Sequence, residues 1–451
     1  MRLPRVLGLF DVSVLASAAM GPAYSLAATM GPMVAVAGGY ATLALALLAA
    51  IMLCIAVAFS RLSRAMPNAG SSFSWIASAF GSGTGSYAAW LLLLSNYFAT
   101  MTTALPAAAY TLDLFSPALA TSPKWNAIVA ALWIAVSTLL LAFGLRPTAL
   151  TTAVFLITEL VVVAASGVAA LVVHPAPEHF AAPSLPNPFL GIATAMVLAI
   201  WMTDGWEVSA AASEESTGPA ETPGRAGIVG LLVTTAVLLL AMGAYMRVGS
   251  VAGFSANQTD AMAYVAARLG GPFWHFSIVA TVLLSTAATL WTTIFYLSRS
   301  AYAMGRDHVL PQAIGRLDRR GLPLNSLLLV FACVTAFTLL TGFWATAASV
   351  LNLVLNATAV FLGALFCMSA LAAMRLLRGT DRASRLQAFV VPAFGAFALA
   401  AIIAVDIAQA DAVTRWVAVG GLVLGIPFAL WRGRRMRPAP AFFLRPQPMS
   451  E

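Results

Sequence analysis

The sequence predicts an all-α polytopic membrane protein with twelve transmembrane helices. Of the 451 residues, 61% are hydrophobic and only 9% are charged, and a soluble domain of this length could not bury so much apolar surface. Apolar runs of about 20 residues, the length that crosses a bilayer as a helix, recur along the whole chain. We therefore expect one transmembrane domain over residues 1–451 instead of several soluble domains.

The apolar runs give the bounds of the predicted spans. We place them at residues 7–31, 33–59, 85–112, 125–144, 147–173, 189–213, 226–247, 272–299, 323–342, 344–374, 386–407 and 412–431. The proline-rich segment 174–188 is predicted to be an external loop. The segment 248–271 is long enough to hold a short external helix, which could act as a lid.

Arginines give the predicted orientation. They gather in alternate loops and in the C-terminal tail: Arg61 and Arg64; Arg146; Arg299, Arg306, Arg316, Arg319 and Arg320; Arg375, Arg378, Arg382 and Arg385; Arg432, Arg434, Arg435 and Arg437. The positive-inside rule assigns these segments to the cytoplasm. We therefore expect a multi-pass protein of the inner (plasma) membrane with both termini cytoplasmic. The net charge of +8 is then a topology signal and requires no nucleic-acid partner.

Two of the predicted helices are expected to break near their middle. In the first, Pro22 follows Gly21; it cannot donate the helical hydrogen bond and clashes with the preceding turn. In the sixth, Gly205 lies mid-span. Breaks at matching positions five helices apart are typical of an inverted-repeat transporter with its site at the bilayer midplane. The repeats would cover about 7–173 and 189–374, followed by helices 11 and 12 at 386–431. The alternative for each break is an ordinary kink or a packing glycine.

Three acids lie within predicted spans: Glu159, Asp204 and Glu207. An ionised carboxylate at mid-membrane costs about 3 kcal/mol even on lenient insertion scales, so it normally faces a cavity or a partner. These spans contain no lysine or arginine that would pair with the acids. In a low-dielectric cavity Glu207 would attract an ammonium group strongly. The alternative for Glu207 is a hydrogen bond to the broken backbone.

Three stretches resemble the amino acid-polyamine-organocation (APC) superfamily of transporters. They are "SRLSRAMPNAGSSFSWIASAFG" at 60–81, "GWEVSAAASEESTGPAETPGRA" at 205–226 and "LSRSAYAMGRDHVLP" at 297–311. The first is similar to that family's loop after helix 2, the second to its glycine-aromatic-acid motif in helix 6, and the third to its exit from helix 8. The match in order and spacing covers roughly residues 5–385. It implies a LeuT-like fold of 5+5 inverted helices, secondary active transport, and amino acids or organic amines as substrates.

The resemblance also implies substrate-binding residues. They are Met20, Gly21, Pro22, Ala23 and Tyr24 at the first break, Trp201, Gly205, Trp206 and Glu207 at the second, and Trp291 on helix 8. The family motif does not explain Asp204, which is added to the expected binding residues because of its charge. Trp201 matches the aromatic residue that closes over the bound substrate in related exchangers, and its indole would attract a cation; its alternative is a core or interfacial tryptophan. Many family members carry Gly-Ser-Gly at the first break. Here Pro22 removes one N–H donor for a substrate carboxylate.

Coupling and gating residues are implied in the same way. Glu159 stands where numerous sodium-independent members carry a lysine in place of a cation, and a glutamate there would attract a proton or a metal cation. The expected coupling groups are Glu159, Glu207, Ser285, Thr286 and Thr289. The alternative for the three hydroxyls is a bond to their own helix. Glu214, Glu215 and Arg225 are expected to form a cytoplasmic gate or a structural salt-bridge region.

The function these patterns favour is a permease that imports an amino acid or an organic amine by alternating access, driven by a proton or sodium gradient. The alternatives are a polyamine or monoamine carrier and a substrate exchanger. A channel or a membrane enzyme fits less well, since the spans hold no histidine cluster, Cys/His metal spacing or nucleophile-base pair. We expect no cofactor besides H+ or Na+ as coupling ion, no metal beyond a sodium site, and a monomer or homodimer in the bilayer.

Overall fold

Helices form the architecture of this chain in a computed structural model, which describes residues 3–173, 188–258, 260–343, 347–377 and 386–436. The helices are α1 (Leu9–Met20), α2 (Pro22–Ala37), α3 (Ala41–Ala65), α4 (Ser72–Phe80), α5 (Ser82–Asp113), α6 (Pro117–Ala120), α7 (Pro123–Phe143), α8 (Leu145–Val173), α9 (Pro188–Met202), α10 (Val208–Ala211), α11 (Thr222–Tyr245), α12 (Val251–Ala256), α13 (Ala261–Leu269), α14 (Gly271–Arg306), α15 (Leu324–Leu340), α16 (Ala347–Leu376), α17 (Val391–Gln409) and α18 (Ala412–Gly433). The predicted external loop lies outside the described residues except for Pro188, and so do Arg378, Arg382, Arg385 and Arg437.

The described helices are those of a multi-pass membrane protein. Ten described segments are long and apolar enough to cross a bilayer, and one of them, Leu9–Ala65, contains α1, α2 and α3 in 57 residues. Large apolar side chains point outward from the bundle, among them Leu132 and Val136 on α7 and Leu150 on α8. Such faces would be unusual on a soluble protein but suit contact with lipid tails. The all-α prediction is therefore confirmed.

α1, α2 and α14 lie at the centre of the bundle. α1 packs against α8, α11 and α14, whereas α2 packs against α9, α12 and α13. Gly230 on α11 lies so close to α1 that an added Cβ would come within 2.7 Å of the Ala16 Cβ. Small residues at helix contacts allow this approach, as is common between membrane helices. The first predicted span is thus two helices that share α8, α11 and α14 as neighbours, while α2 alone packs on α9, α12 and α13.

The two ends of the bundle carry different structures. We call one the arginine-rich end, defined by Arg64, Arg299 and Arg306, and the other the lid end, defined by α12 and α13. α14 joins them: it starts directly after α13 and runs for 36 residues to Arg306, a length of about 54 Å.

At the arginine-rich end, the segment before α1 pairs with the segment after α10. The Leu7 N–H donates to the Glu215 carbonyl at 3.1 Å, and the Thr217 N–H donates to the Leu7 carbonyl at 2.8 Å. An isolated β-bridge joins Leu7 to Ser216. The two helices that were predicted to break are therefore held together at the arginine-rich end, where one begins and the other ends.

At the lid end, α12 and α13 confirm that the segment 248–271 holds short helices. Ser250 caps α12 by accepting the Gly253 N–H at 3.0 Å, and Asp260 caps α13 by accepting the Ala263 N–H at 2.9 Å. Such caps satisfy N–H groups that lack a partner within the helix. The loop between the two helices rests on α2, since a Cβ at Gly31 would lie 2.8 Å from the loop backbone.

Candidate functional site

The first break lies where α1 meets α2. Gly21 has φ 53° and ψ 68°, a left-handed conformation that ends helices and favours glycine. Its N–H donates to the Ala18 carbonyl at 3.1 Å. Pro22 then starts α2, at a position where a helix does not need the missing N–H. An added Cβ at Gly21 would lie 2.4 Å from the Thr289 hydroxyl, so the break is pressed against α14.

The second break lies between α9 and α10, at residues 203–207. Gly205 has φ 106°, a conformation that residues with a side chain rarely adopt. An added Cβ there would come within 2.6 Å of the Ala19 carbonyl group. The two predicted breaks therefore exist and are in direct contact with each other.

Glu159 on α8 satisfies the backbone of the first break. It is completely buried, and its Oε1 accepts the Ala23 N–H at 3.1 Å and the Ser285 hydroxyl at 3.0 Å. The Ser285 Oγ in turn accepts the Tyr24 N–H at 3.1 Å. Glu159 thus takes up two freed N–H groups, one directly and one through Ser285. Its other oxygen, Oε2, is buried and has no partner among the described residues.

The three predicted hydroxyls of α14 differ in their direction. Ser285 and Thr289 face the first break, with the Thr289 Oγ1 at 2.9 Å from the Ala18 carbonyl oxygen. The Thr289 Oγ1 is also 2.9 Å from the Ser285 carbonyl oxygen of its own helix. Thr286 donates to the Leu283 carbonyl of its own helix at 2.8 Å and does not reach the break. The structure therefore brings two of the three hydroxyls to the break.

The second break carries a pair of acids. Glu207 is buried, and its Oε2 accepts the Gly205 N–H at 3.0 Å. The Asp204 carboxyl group is within hydrogen-bonding reach of the Glu207 carboxyl group. Two carboxyl groups this close cannot both ionise cheaply and tend to share a proton. Glu207 thus caps the broken backbone and at the same time belongs to an acidic pair.

A cavity of about 430 Å³ lies between the two breaks. Seven predicted residues line it: Met20, Tyr24, Trp201, Asp204, Gly205, Glu207 and Thr289. Tyr24 and Trp201 form an aromatic wall, with an edge-to-face contact of 6.3 Å between ring centroids. The Tyr24 hydroxyl is anchored on α5 by donating to the Thr102 carbonyl at 2.6 Å.

The opposite wall comes from residues that were not predicted. They are Asn96, Ala99 and Thr103 on α5 and Thr292, Thr293 and Tyr296 on α14. Their spacing was the available signal, because positions 96, 99 and 103, like 289, 292, 293 and 296, fall on one face of a helix. The remaining lining residues are Ala19 and Val208.

Several predicted binding residues lie away from the cavity. Trp206 packs between Phe59 and Phe366, with ring centroids at 5.0 Å and 5.6 Å. Trp291 turns toward α8, where its Nε1 donates to the Thr152 Oγ1 at 2.8 Å. Those that are buried at the first break without lining the cavity are Gly21, Pro22 and Ala23.

The predicted gate acids pair with other arginines than expected. Glu215 and Arg299 form a fully buried pair with two contacts of 3.1 Å. Glu214 accepts from Arg306 at 3.0 Å. Arg225 lies on an exposed position of α11, because α11 turns that face outward. The expected pairing with Arg225 is therefore replaced by pairing with two arginines near the end of α14.

Asp307 follows directly on α14 at this end. It is buried, and its Oδ1 lies 3.6 Å from the Arg306 Nε. Burial raises the pKa of Asp307 to about 6, although the neighbouring guanidinium acts in the opposite direction. The arginine-rich end thus contains an acid that titrates near neutral pH.

The described residues place no group of three or more His, Cys, Asp or Glu side chains in a position to hold a metal ion together.

Comparison with known families decides which kind of protein has this site. The sequence model of the Amino acid permease family matches residues 7–427. The chain belongs to the amino acid permease family. This confirms the resemblance to the APC superfamily and places the permease among transport proteins and not among enzymes.

Two curated relatives resemble this permease over parts of their length. The Branched-chain amino acid permease BcaP of Lactococcus lactis subsp. cremoris is 27% identical over 288 residues, which cover 60% of this chain and 62% of the relative. The Arginine/ornithine antiporter of Pseudomonas aeruginosa is 24% identical over 162 residues, 35% of this chain and 33% of the relative. The matched regions thus span less than two thirds of either relative.

Proposed function

We propose that this permease is a secondary active transporter that imports a small molecule with an amino group, an amino acid or an organic amine. The observation that carries the proposal is the cavity between two contacting helix breaks, which holds the Asp204 and Glu207 carboxyl groups beside an aromatic wall. An ammonium group is attracted by both features. The names of the two relatives, which refer to amino acids, support the same class of substrate.

The architecture we propose has twelve spans arranged as a 5+5 inverted repeat in a single domain. The repeats would cover about 7–173 and 189–374, with two further helices at 386–431. The matching breaks support this arrangement. So do the short helices: α4 lies at the arginine-rich end after the second span, and α12 and α13 lie at the lid end after the seventh.

The arginine-rich end is proposed to be cytoplasmic. Both termini would then lie on the cytoplasmic side of the plasma membrane. A monomer is proposed as the functional unit, with a homodimer as the alternative.

Transport would follow alternating access. The ammonium group of the substrate would lie against Asp204 and Glu207, and Trp201 would close over it. At the cytoplasmic side, the pairs Glu215–Arg299 and Glu214–Arg306 would keep the path shut and separate when it opens. At the external side, α12 and α13 would act as the lid, because they pack on α2, the helix that begins at the first break.

Glu159 is the coupling group in this proposal. Its Oε1 holds the broken backbone, while its Oε2 has no partner among the described residues. A proton added to Oε2 would neutralise the buried charge without removing either bond to Oε1. Sodium is the alternative coupling ion, held between Glu159, Ser285 and Thr289. The antiporter among the relatives makes exchange the alternative to net uptake.

Reconstituted vesicles test the proposal. Uptake of a panel of labelled amino acids and amines would be measured with imposed proton and sodium gradients. We expect the Glu207→Gln variant to raise KM at least tenfold, because it removes the charge facing the ammonium group. Glu159→Gln should still equilibrate substrate across the membrane but should no longer respond to the proton gradient.

Thr158→Val serves as the control, because Thr158 is the neighbour of Glu159 on the exposed face of α8. Uptake no faster than in protein-free vesicles for every compound would contradict the proposed function. A gradient response that is unchanged in Glu159→Gln would remove Glu159 from coupling.

A further inference from the structure

We propose that the substrate is a small organic amine without a carboxylate, and that Glu159 occupies the position that a substrate carboxylate would need. This inference rests on the proposed transport function and narrows its substrate class. It follows from where the N–H groups of the two breaks are directed, and from the charges that line the cavity.

A substrate carboxylate is normally received by free N–H groups at the end of a helix. At the first break, the Gly21 N–H already donates to the Ala18 carbonyl at 3.1 Å, and Pro22 has no N–H. The Ser25 N–H donates to the Gly21 carbonyl at 2.7 Å. None of these three positions offers a donor to a ligand.

The two remaining donors of the first turn of α2 are directed at Glu159. The Ala23 N–H donates to the Glu159 Oε1, and the Tyr24 N–H reaches the same oxygen through Ser285. The protein thus supplies its own carboxylate to the place where a substrate carboxylate would bind. Glu159 is completely buried and held by these bonds, so a ligand carboxylate would have to displace it.

At the second break, the Gly205 N–H is also already engaged by an acid of the protein. The Gly205 N–H donates to the Glu207 Oε2 at 3.0 Å. Asp204 and Glu207 both line the cavity, and its described lining contains no lysine, arginine or histidine. A carboxylate in this cavity would meet like charge without a counterion, whereas an ammonium group would meet two carboxyl groups. The polarity of the cavity therefore matches a cation.

The rest of the lining suits the body of a small amine. Tyr24, Trp201 and Tyr296 supply aromatic faces, and Thr103 and Thr292 supply hydroxyl groups. Only fifteen residues line the cavity, which fits a small molecule and not a polymer. Aromatic faces next to an acid are the combination that binds organic cations in water-poor sites.

Matched pairs of compounds test the inference. Each amino acid suggested by the relatives has a counterpart that lacks only the carboxylate: leucine and 3-methylbutylamine, arginine and agmatine, ornithine and putrescine. Counterflow into vesicles carrying the full-length permease would be measured for each labelled compound, without an imposed gradient. We expect at least one amine to be taken up ten times faster than its amino acid, and no amino acid to exceed its amine.

The outcomes separate this inference from the function on which it rests. An amino acid taken up as fast as its amine, or faster, would overturn the amine assignment and leave the transport function standing. Uptake of neither member of any pair would overturn the transport function itself, and the inference with it.

Variants at position 159 test whether Glu159 causes the preference for an amine over the matching amino acid. Glu159→Ala frees the Ala23 N–H and Ser285, so the preference for the amine over its amino acid should fall about tenfold. Glu159→Gln keeps an oxygen acceptor and should keep the preference, as should the control Thr158→Val. A preference unchanged in folded Glu159→Ala, judged by gel filtration, would overturn the role of Glu159. If Glu159→Ala does not fold, the wild-type comparison of the pairs still decides the substrate class.

Discussion

The buried Glu159 carboxyl group accepts the Ala23 N–H at 3.1 Å and thereby joins α8 to the first turn of α2. The same oxygen accepts the Ser285 hydroxyl of α14. Three helices that are distant in sequence therefore meet at one oxygen atom beside the break.

Removing this oxygen is expected to destabilise the permease. In Glu159→Ala, the buried Ala23 N–H and Ser285 hydroxyl lose their acceptor, at a cost of about 1 to 3 kcal/mol for each group. Glu159→Gln retains an acceptor oxygen and should lose less. Thermal unfolding in detergent would show the Tm of Glu159→Ala several degrees below that of Glu159→Gln. An equal Tm for the two variants would contradict the structural role given to Oε1.

The buried Glu215–Arg299 pair is expected to matter far more than an exposed pair. Glu215→Ala leaves Arg299 buried without its partner, which costs about 3 to 5 kcal/mol. The control is Glu221→Ala, because the Arg64–Glu221 contact of 3.2 Å is 61% and 38% exposed; its loss should cost less than about 1 kcal/mol. Chemical unfolding of the two variants measures the difference. Similar losses would mean that Arg299 finds another partner.

Glycine at the second break is expected to be indispensable. Gly205→Ala places a Cβ 2.6 Å from the Ala19 backbone, at a φ of 106° that alanine rarely adopts. We expect transport to be lost and the two broken helices to move apart. Gly243→Ala is the control, since that residue of α11 has no neighbour within 4 Å of an added Cβ; it should gain up to about 1 kcal/mol of helix stability. An active Gly205→Ala would refute the close contact between the breaks.

Stability is expected to depend on pH through Asp307. Its pKa is raised to about 6 in the fold, so between its unfolded pKa and about 6 the folded state binds more protons than the unfolded state. The contribution of Asp307 therefore becomes unfavourable as pH rises through this window and stays unfavourable above it. Asp307→Asn should raise the Tm at pH 7, by up to about 3 kcal/mol in unfolding free energy. The loss of stability of the wild type between pH 4 and pH 6 should be smaller in this variant.

Asp318 provides the opposite case at the same end of the bundle. Hydrogen bonds from the Leu322 and Arg320 N–H groups lower its pKa, so its contribution is favourable above its unfolded pKa and is lost as pH falls through the folded one. Asp318→Asn should therefore lower the Tm at pH 7. At acid pH the variant and the wild type should have the same Tm. If Asp307→Asn and Asp318→Asn shift the Tm at pH 7 in the same direction and by the same amount, the opposite pKa directions of the two residues would be contradicted.

The breaks could be predicted from the sequence because their cause is local. Gly21 can adopt the left-handed conformation that ends a helix, and Pro22 is suited to begin the next one. The acids Asp204 and Glu207 were predictable for a similar reason, since the cost of burying a charge in a bilayer applies to any fold. These features needed no knowledge of tertiary packing.

The direction of each side chain could not be predicted in the same way. Trp206 is next to Glu207 in sequence, yet the irregular backbone after Gly205 turns it into the core and away from the cavity. The partner of Glu215 was also out of reach, because Arg299 is 84 positions away and Arg225 is nearer in sequence. Contacts of this kind depend on how whole helices are rotated against each other.

Polar residues on α5 were missed for a further reason. Asn96 donates to the carbonyl of Leu92 on its own helix, and Thr103 bonds in the same way to Ala99. A hydroxyl or amide can bond its own helix, so its polarity alone does not indicate that it also faces a cavity, and only the helical spacing was left as a signal.

The pairing of Leu7 with Ser216 has a mechanical consequence. Together with the contact of Gly205 on Ala19, it joins the two broken helices at two positions, so we expect α1 and α10 to move together. The residues directly before α1 should then move with these two helices. A fluorophore on the exposed Arg5 should consequently report the movement of α1 and α10 during transport.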